Sequence, residues 1–305
     1  MRPRRGTAAA IALLGAALAV AGCGLGPGAD VGSVELTVTR EFGAVPVLRR
    51  SLEARESDTV MRALEANADV ETRFGGGFVH SIEGVAEGEH GGDPYDWFFF
   101  VDGVESPVGA ADVALKGDER VWWDYRDWSA TNHVPAVVGS WPAPFVDGVA
   151  GKSYPVVLEC DGGGGACATA RKALEAEGVK LSSGPAKGAI RMLVGPWGRL
   201  REDPAAQLLE AGPGESGIYA SFEAGVRYGL IALGEDGEPA RRFGPDAGLV
   251  GATSRYGGPP VWLVTGGTAA AVREAADGLD AARLRDHYAV AIEAGKETPL
   301  PLEAR

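Results

Sequence analysis

Histidine, methionine and cysteine are scarce in this chain of 305 residues, which holds four, three and three of them. So few imidazoles leave acid–base chemistry to carboxylates, and no carboxylate pair stands out by position. No Gly-x-Ser-x-Gly elbow and no His-Glu-x-x-His helix occurs. Thr265-Gly266-Gly267-Thr268 sits between an apolar run and a helical one. It lacks the lysine of a phosphate-binding loop and the third glycine of a dinucleotide fingerprint, so a tight strand-to-helix turn accounts for it. Basic residues are also short, 29 against 42 acidic, for a formal charge of −13. Such a surface repels nucleic acid and anionic headgroups. These shortages read as a protein that is not an enzyme, with residues 153–305 left open.

What is present begins at the N-terminus. Arg2, Arg4 and Arg5 precede an uncharged apolar run, Ala8 to Val20. The run is too short to span a bilayer, which takes about 20 residues, and has the length of a signal-peptide core. No later segment could span either. Val20-Ala21-Gly22-Cys23 follows, small residues before a cysteine. The order resembles the lipobox of bacterial lipoproteins. The resemblance implies a signal peptide over residues 1–22, lipid on Cys23, and an extracytoplasmic protein held to the cell membrane by acyl chains. Cleavage would remove three arginines and no acidic residue. Residues 23–32 are rich in glycine and read as a tether.

Of the three cysteines, Cys160 and Cys167 remain. They lie seven positions apart across four glycines. In an oxidising compartment an even remainder favours a disulfide, two free thiols being the alternative.

Two styles of pattern divide the rest. Val34 to Thr39 alternates apolar and polar residues, as a half-buried strand does. A helix follows over Thr59 to Ala66, capped by Ser57-Asp58, then an aromatic strand Asp96 to Val101 with a hairpin signal at Asp102-Gly103. One short helix among strands predicts an α+β domain over residues 33–130. Residues 131–152, with Pro135, Pro142 and Pro144, read as a linker. Residues 153–305 repeat strand-then-helix units and predict an α/β layered domain of unknown role.

The motifs of the first half carry a resemblance. Asp58-Thr59-Val60-Met61-Arg62-Ala63-Leu64, Gly77 to Val85, Trp97-Phe98-Phe99-Phe100-Val101-Asp102-Gly103, Gly109 to Asp112 and Gly117 to Trp122 follow in order. The layout resembles the DUF4430 domain, which is similar to the C-terminal β-domain of transcobalamin and intrinsic factor, a β-grasp-like fold. Asp102 departs from the asparagine usual in that family, and either residue suits the turn. The resemblance implies a ligand, cobalamin or a related corrinoid, taken up with the help of a transporter. The large helical domain of the vertebrate carriers has no counterpart here. Trp97, Phe99, Trp122, Tyr125 and Trp128, with the turn at Asp102 and Gly103, are the candidate ligand-binding residues, since flat ligands bind aromatic faces. The alternative is an envelope adaptor with no small-molecule ligand. His80, Glu83, Glu87, Glu89, His90 and Asp93 could ligate a cation, but no regular spacing appears and no metal site is expected.

The Cys23 assignment has a direct check. Cys23→Ser should release the protein from membranes and abolish fatty-acid labelling. Undiminished labelling would contradict the lipobox reading.

Overall fold

The computed structural model describes residues 28–255 and 257–303. The proposed signal peptide, Cys23 and the first part of the proposed tether lie outside the described residues. No helix among the described residues is long and apolar enough to cross a membrane.

Strands β1 (Asp30–Arg40) and β2 (Val45–Arg55) form a long antiparallel hairpin, so the first sheet begins inside the stretch read as tether. Helix α1 (Val60–Glu65) follows. Its cap is Thr59, whose hydroxyl accepts from the Arg62 amide, while Asp58 closes the preceding turn on the Arg55 amide. The chain then passes through β3 (Val70–Arg73), β4 (Phe78–Ile82), β5 (Val85–Ala86), β6 (Gly88–His90), β7 (Asp93–Val101), β8 (Val104–Glu105) and β9 (Arg120–Asp127). The main sheet runs β2-β1-β9-β7-β6, with β9 parallel to β1 and antiparallel to β7. Asp102 and Gly103 turn β7 into β8 with φ of 52° and 79°, the two left-handed residues of a type I′ turn.

The stretch read as a linker is packed. Val134, Val137, Val138, Trp141 and Phe145 are each at most 5% exposed. Helix α2 (Ala143–Val146) carries the last of these. Then come β10 (Val156–Cys160), α3 (Gly165–Ala176), β11 (Ile190–Pro196), α4 (Trp197–Leu200), α5 (Ala206–Glu210) and α6 (Pro213–Ser216). Three short strands follow, β12 (Ala220–Glu223), β13 (Gly229–Leu233) and β14 (Pro239–Arg242), and pair among themselves. The chain ends through β15 (Gly248–Thr253), β16 (Val261–Gly266), α7 (Ala269–Asp277), α8 (Ala281–Leu284), β17 (Ala289–Glu293) and β18 (Lys296–Leu300). Cys160 and Cys167 form a disulfide with Cα atoms 5.9 Å apart, joining the end of β10 to the first turn of α3.

The expected fold class, an α+β domain followed by an α/β layered one, is overturned. The protein is mostly β, 40% strand against 19% helix, spread over several sheets. The cause is visible in the second sheet, β10-β11-β16-β15-β17-β18. Only β10, β11 and β16 run parallel; β15 enters antiparallel beside β16, and β17 and β18 continue antiparallel. The sequence reading did not contain β15. In its run Gly-Leu-Val-Gly-Ala-Thr the two glycines and the alanine are disfavoured in strands, yet all six residues are buried. Gly248 is there because α7 lies on it: a Cβ at that position would meet the Ala271 carbonyl oxygen at 2.2 Å.

Helices α3 and α7 cover one face of this sheet, with Trp141 and Phe145 against them. The other face is covered by the small β12-β13-β14 sheet, by Trp197 and α5, and by Phe42, Phe100 and Trp122 from the first half. One apolar core therefore runs through both halves.

Candidate functional site

Strand β9 divides the first half. Alternation sends Val121, Trp123 and Tyr125 to the α1 side, where they join Trp97 and Val101. It sends Trp122, Asp124 and Arg126 to the other side, with Phe100 of β7 and Thr37 and Thr39 of β1 as neighbours. That second face is closed by Phe42, Tyr219 and Tyr288.

Buried charge on an apolar face needs partners. Asp124 is fully buried. Its carboxylate accepts from the Thr39 hydroxyl at 2.6 Å, the Gly43 amide at 3.1 Å and the Tyr288 hydroxyl at 3.0 Å. Thr39 in turn accepts from the Trp122 indole at 2.7 Å. Arg126, also fully buried, donates to the carbonyls of Asp127 and Thr131 and stacks on Phe98, 3.8 Å from the ring centroid. Burial pushes Asp124 up to about 6, against the pull of its three hydrogen bonds and of Arg126.

The candidate ligand residues do not share a surface. Trp97 and Tyr125 are buried on the α1 side, the indole donating to the Val85 carbonyl and the phenol to that of Ala86. Phe99 stacks on Trp123 on the same side. Trp122 is buried on the opposite face. Trp128 is exposed beyond the end of β9. Asp102 and Gly103 dock on the 131–152 stretch: Gly103 accepts from the Val137 amide, and the Asp102 carboxylate accepts from the amides of Arg120 and Ala150, each at 3.0 Å. Of the acidic-loop residues, His80 pairs with Glu87, and His90 lies 2.8 Å from the Tyr125 hydroxyl. Glu83 accepts from the Asp69 amide.

An open cleft lies elsewhere, over the end of the first sheet and beside the 131–152 stretch. It measures about 410 Å³ and is floored by Ser33, Glu35, Arg49, Ser51 and Arg120. Arg50 stands on one border; Asp118, Glu119 and Asp147 stand on another. A smaller notch shares Glu35 and Arg120 and continues under Ser140, Arg285 and Asp286 of the second half. Arg49 pairs with Asp286 across the seam, and Arg120 donates to the Trp141 carbonyl. Arg50 and Arg285 form no ion pair among the described residues. Pattern reading missed these groups because they are far apart in sequence. The local signal for the seam was Asp124 and Arg126, two charges at inward positions of an aromatic strand.

Residues 57–127 match a domain of unknown function, DUF4430. The match covers α1 through β9, which includes the buried face of β9 but neither β1 nor β2. No curated protein matches the chain.

Burial raises Asp102 to about 7, with Glu119 and Asp147 adding to the rise and the two amide donors opposing it. A carboxyl whose folded pKa lies above its unfolded value binds protons more tightly when folded. Its stabilising share is therefore full at low pH and is lost as pH rises through about 7. Asp102→Asn cannot titrate and keeps one acceptor of two. It should be less stable than the parent near about pH 5, with the gap closing by on the order of 2 kcal/mol by about pH 8. Chemical denaturation at both pH values reads this, and a pH-independent gap would contradict it.

Proposed function

We propose that this is a lipid-anchored extracytoplasmic binding protein whose small, polar ligand occupies the cleft over the first sheet, beside Asp147 of the 131–152 stretch. The cleft itself supports this reading. Its size falls within that of small-molecule sites. Three arginines and four carboxylates line it, which suits a ligand carrying both donors and acceptors, such as a zwitterion. Among the described residues its walls bring together guanidiniums, carboxylates and hydroxyls, groups that can hold a polar ligand by hydrogen bonds and ion pairs. A corrinoid is the rival ligand. It would need an open apolar face, and the aromatic faces of β7 and β9 are filled by α1 on one side and by the second half on the other.

Native mass spectrometry of protein purified from its own host tests the reading. A non-covalent small-molecule adduct should appear and should be lost in Arg50→Ala, an exposed edge position whose loss leaves the core untouched. An adduct with the mass and colour of a corrinoid would overturn the ligand class. Bare protein that carries a co-purifying polypeptide would favour the adaptor.

A further inference from the structure

The segment between β3 and β4 is unlike the rest of the surface. Phe74 is 88% exposed and Phe78 39%, and Val108 of a neighbouring loop is 50% exposed. The two phenyl rings meet edge to face, 6.3 Å apart. Between them stand Gly75, Gly76 and Gly77, and the space beside Gly75 and Gly76 is open. No charge occurs from Phe74 through Val79, in a chain of net charge −13. The nearest charge along the chain, Arg73, pairs with Glu87. Singly exposed apolar residues need no explanation, but a tip built of two phenylalanines on glycine does.

We propose that this tip sits in the headgroup region of the bilayer to which the protein is anchored. The inference rests on the lipid-anchored reading above. Aromatic rings favour the membrane–water interface, and an uncharged tip avoids the cost of burying ions there. The path of the chain points to the same occupant. Cys23 precedes Gly28, the first described residue, by five positions, and an extended chain spans roughly 3.5 Å per residue, so the anchor lies within roughly 18 Å of Gly28. Gly28 lies against Glu56, just before α1. Met61 of α1 donates to the Ala110 carbonyl, and Gly109 lies against the carbonyl oxygen of Gly77 at the tip. The point where the chain enters and the tip thus both border the α1 layer. Two phenylalanines bind membrane weakly alone. The anchor raises their effective concentration at the surface, so the tip sets the orientation of the protein rather than its residence.

Tryptophan at the tip reports its depth. Phe74→Trp protein, lipidated and placed in phosphatidylcholine vesicles, should show quenching by acyl-brominated lipid about twofold above that of the parent, with blue-shifted emission. In the parent, Trp128, 38% exposed, is the one exposed tryptophan among the described residues. A second sample separates the two readings: Cys23→Ser protein with an N-terminal histidine tag, held on nickel-chelating vesicles. Extra quenching there supports the tip whatever the state of Cys23. Its absence on the tagged, tethered protein overturns the tip. Absence of lipid on Cys23 by mass spectrometry overturns the anchor alone.

Discussion

A carboxylate with no exposure to water holds the two halves together. Asp124 takes hydrogen bonds from a hydroxyl of β1, an amide of the turn after it and a phenol just before β17. Two donors come from the first hairpin, and the third, Tyr288, comes from the second half, 164 positions away. A buried charge stripped of a partner costs about 3–5 kcal/mol. The arrangement therefore tolerates no slippage of the second half over the first sheet. Arg126, two residues on, is buried by the same covering and is held by carbonyls and by the face of Phe98.

The rest of the architecture follows from that closure. With α1 on one face and the second half on the other, the first sheet needs apolar side chains both ways, which is why β7 and β9 are aromatic on both faces. The same closure occupies the surface that a flat ligand would have used. It leaves a cleft at the end of the sheet near Ser33, Glu35, Arg49 and Arg120, and there the residues turn polar and charged. The cleft opens at the border of the seam, where Arg49 of its floor pairs with Asp286 of the second half.

Local signals were legible where local physics decides. The left-handed pair Asp102-Gly103 turns as read, and Cys160 and Cys167 bridge across their glycines. Distant coverage was not legible. The alternation of β1 reads as a half-buried strand, yet Thr37 is 6% exposed and Thr39 not at all, because the second half packs on that face. Residues 131–152 carry the prolines of a linker and also Val134, Val137, Val138, Trp141 and Phe145, whose burial only the assembled cores reveal. Strand β15 was missed because its glycines weaken the local strand pattern, while Gly248 makes room for α7 and Gly251 for Ile218. That one antiparallel strand turns an apparent series of strand–helix units into a mixed sheet.

If the halves share one core through Asp124, the two partners must be coupled energetically. A double-mutant cycle on Asp124→Asn and Tyr288→Phe, read by denaturant unfolding with probes in both halves, measures this. The account predicts one transition seen by both probes and a coupling of roughly 1–3 kcal/mol. Effects that add to within about 0.5 kcal/mol, or separate transitions for the two halves, would contradict it.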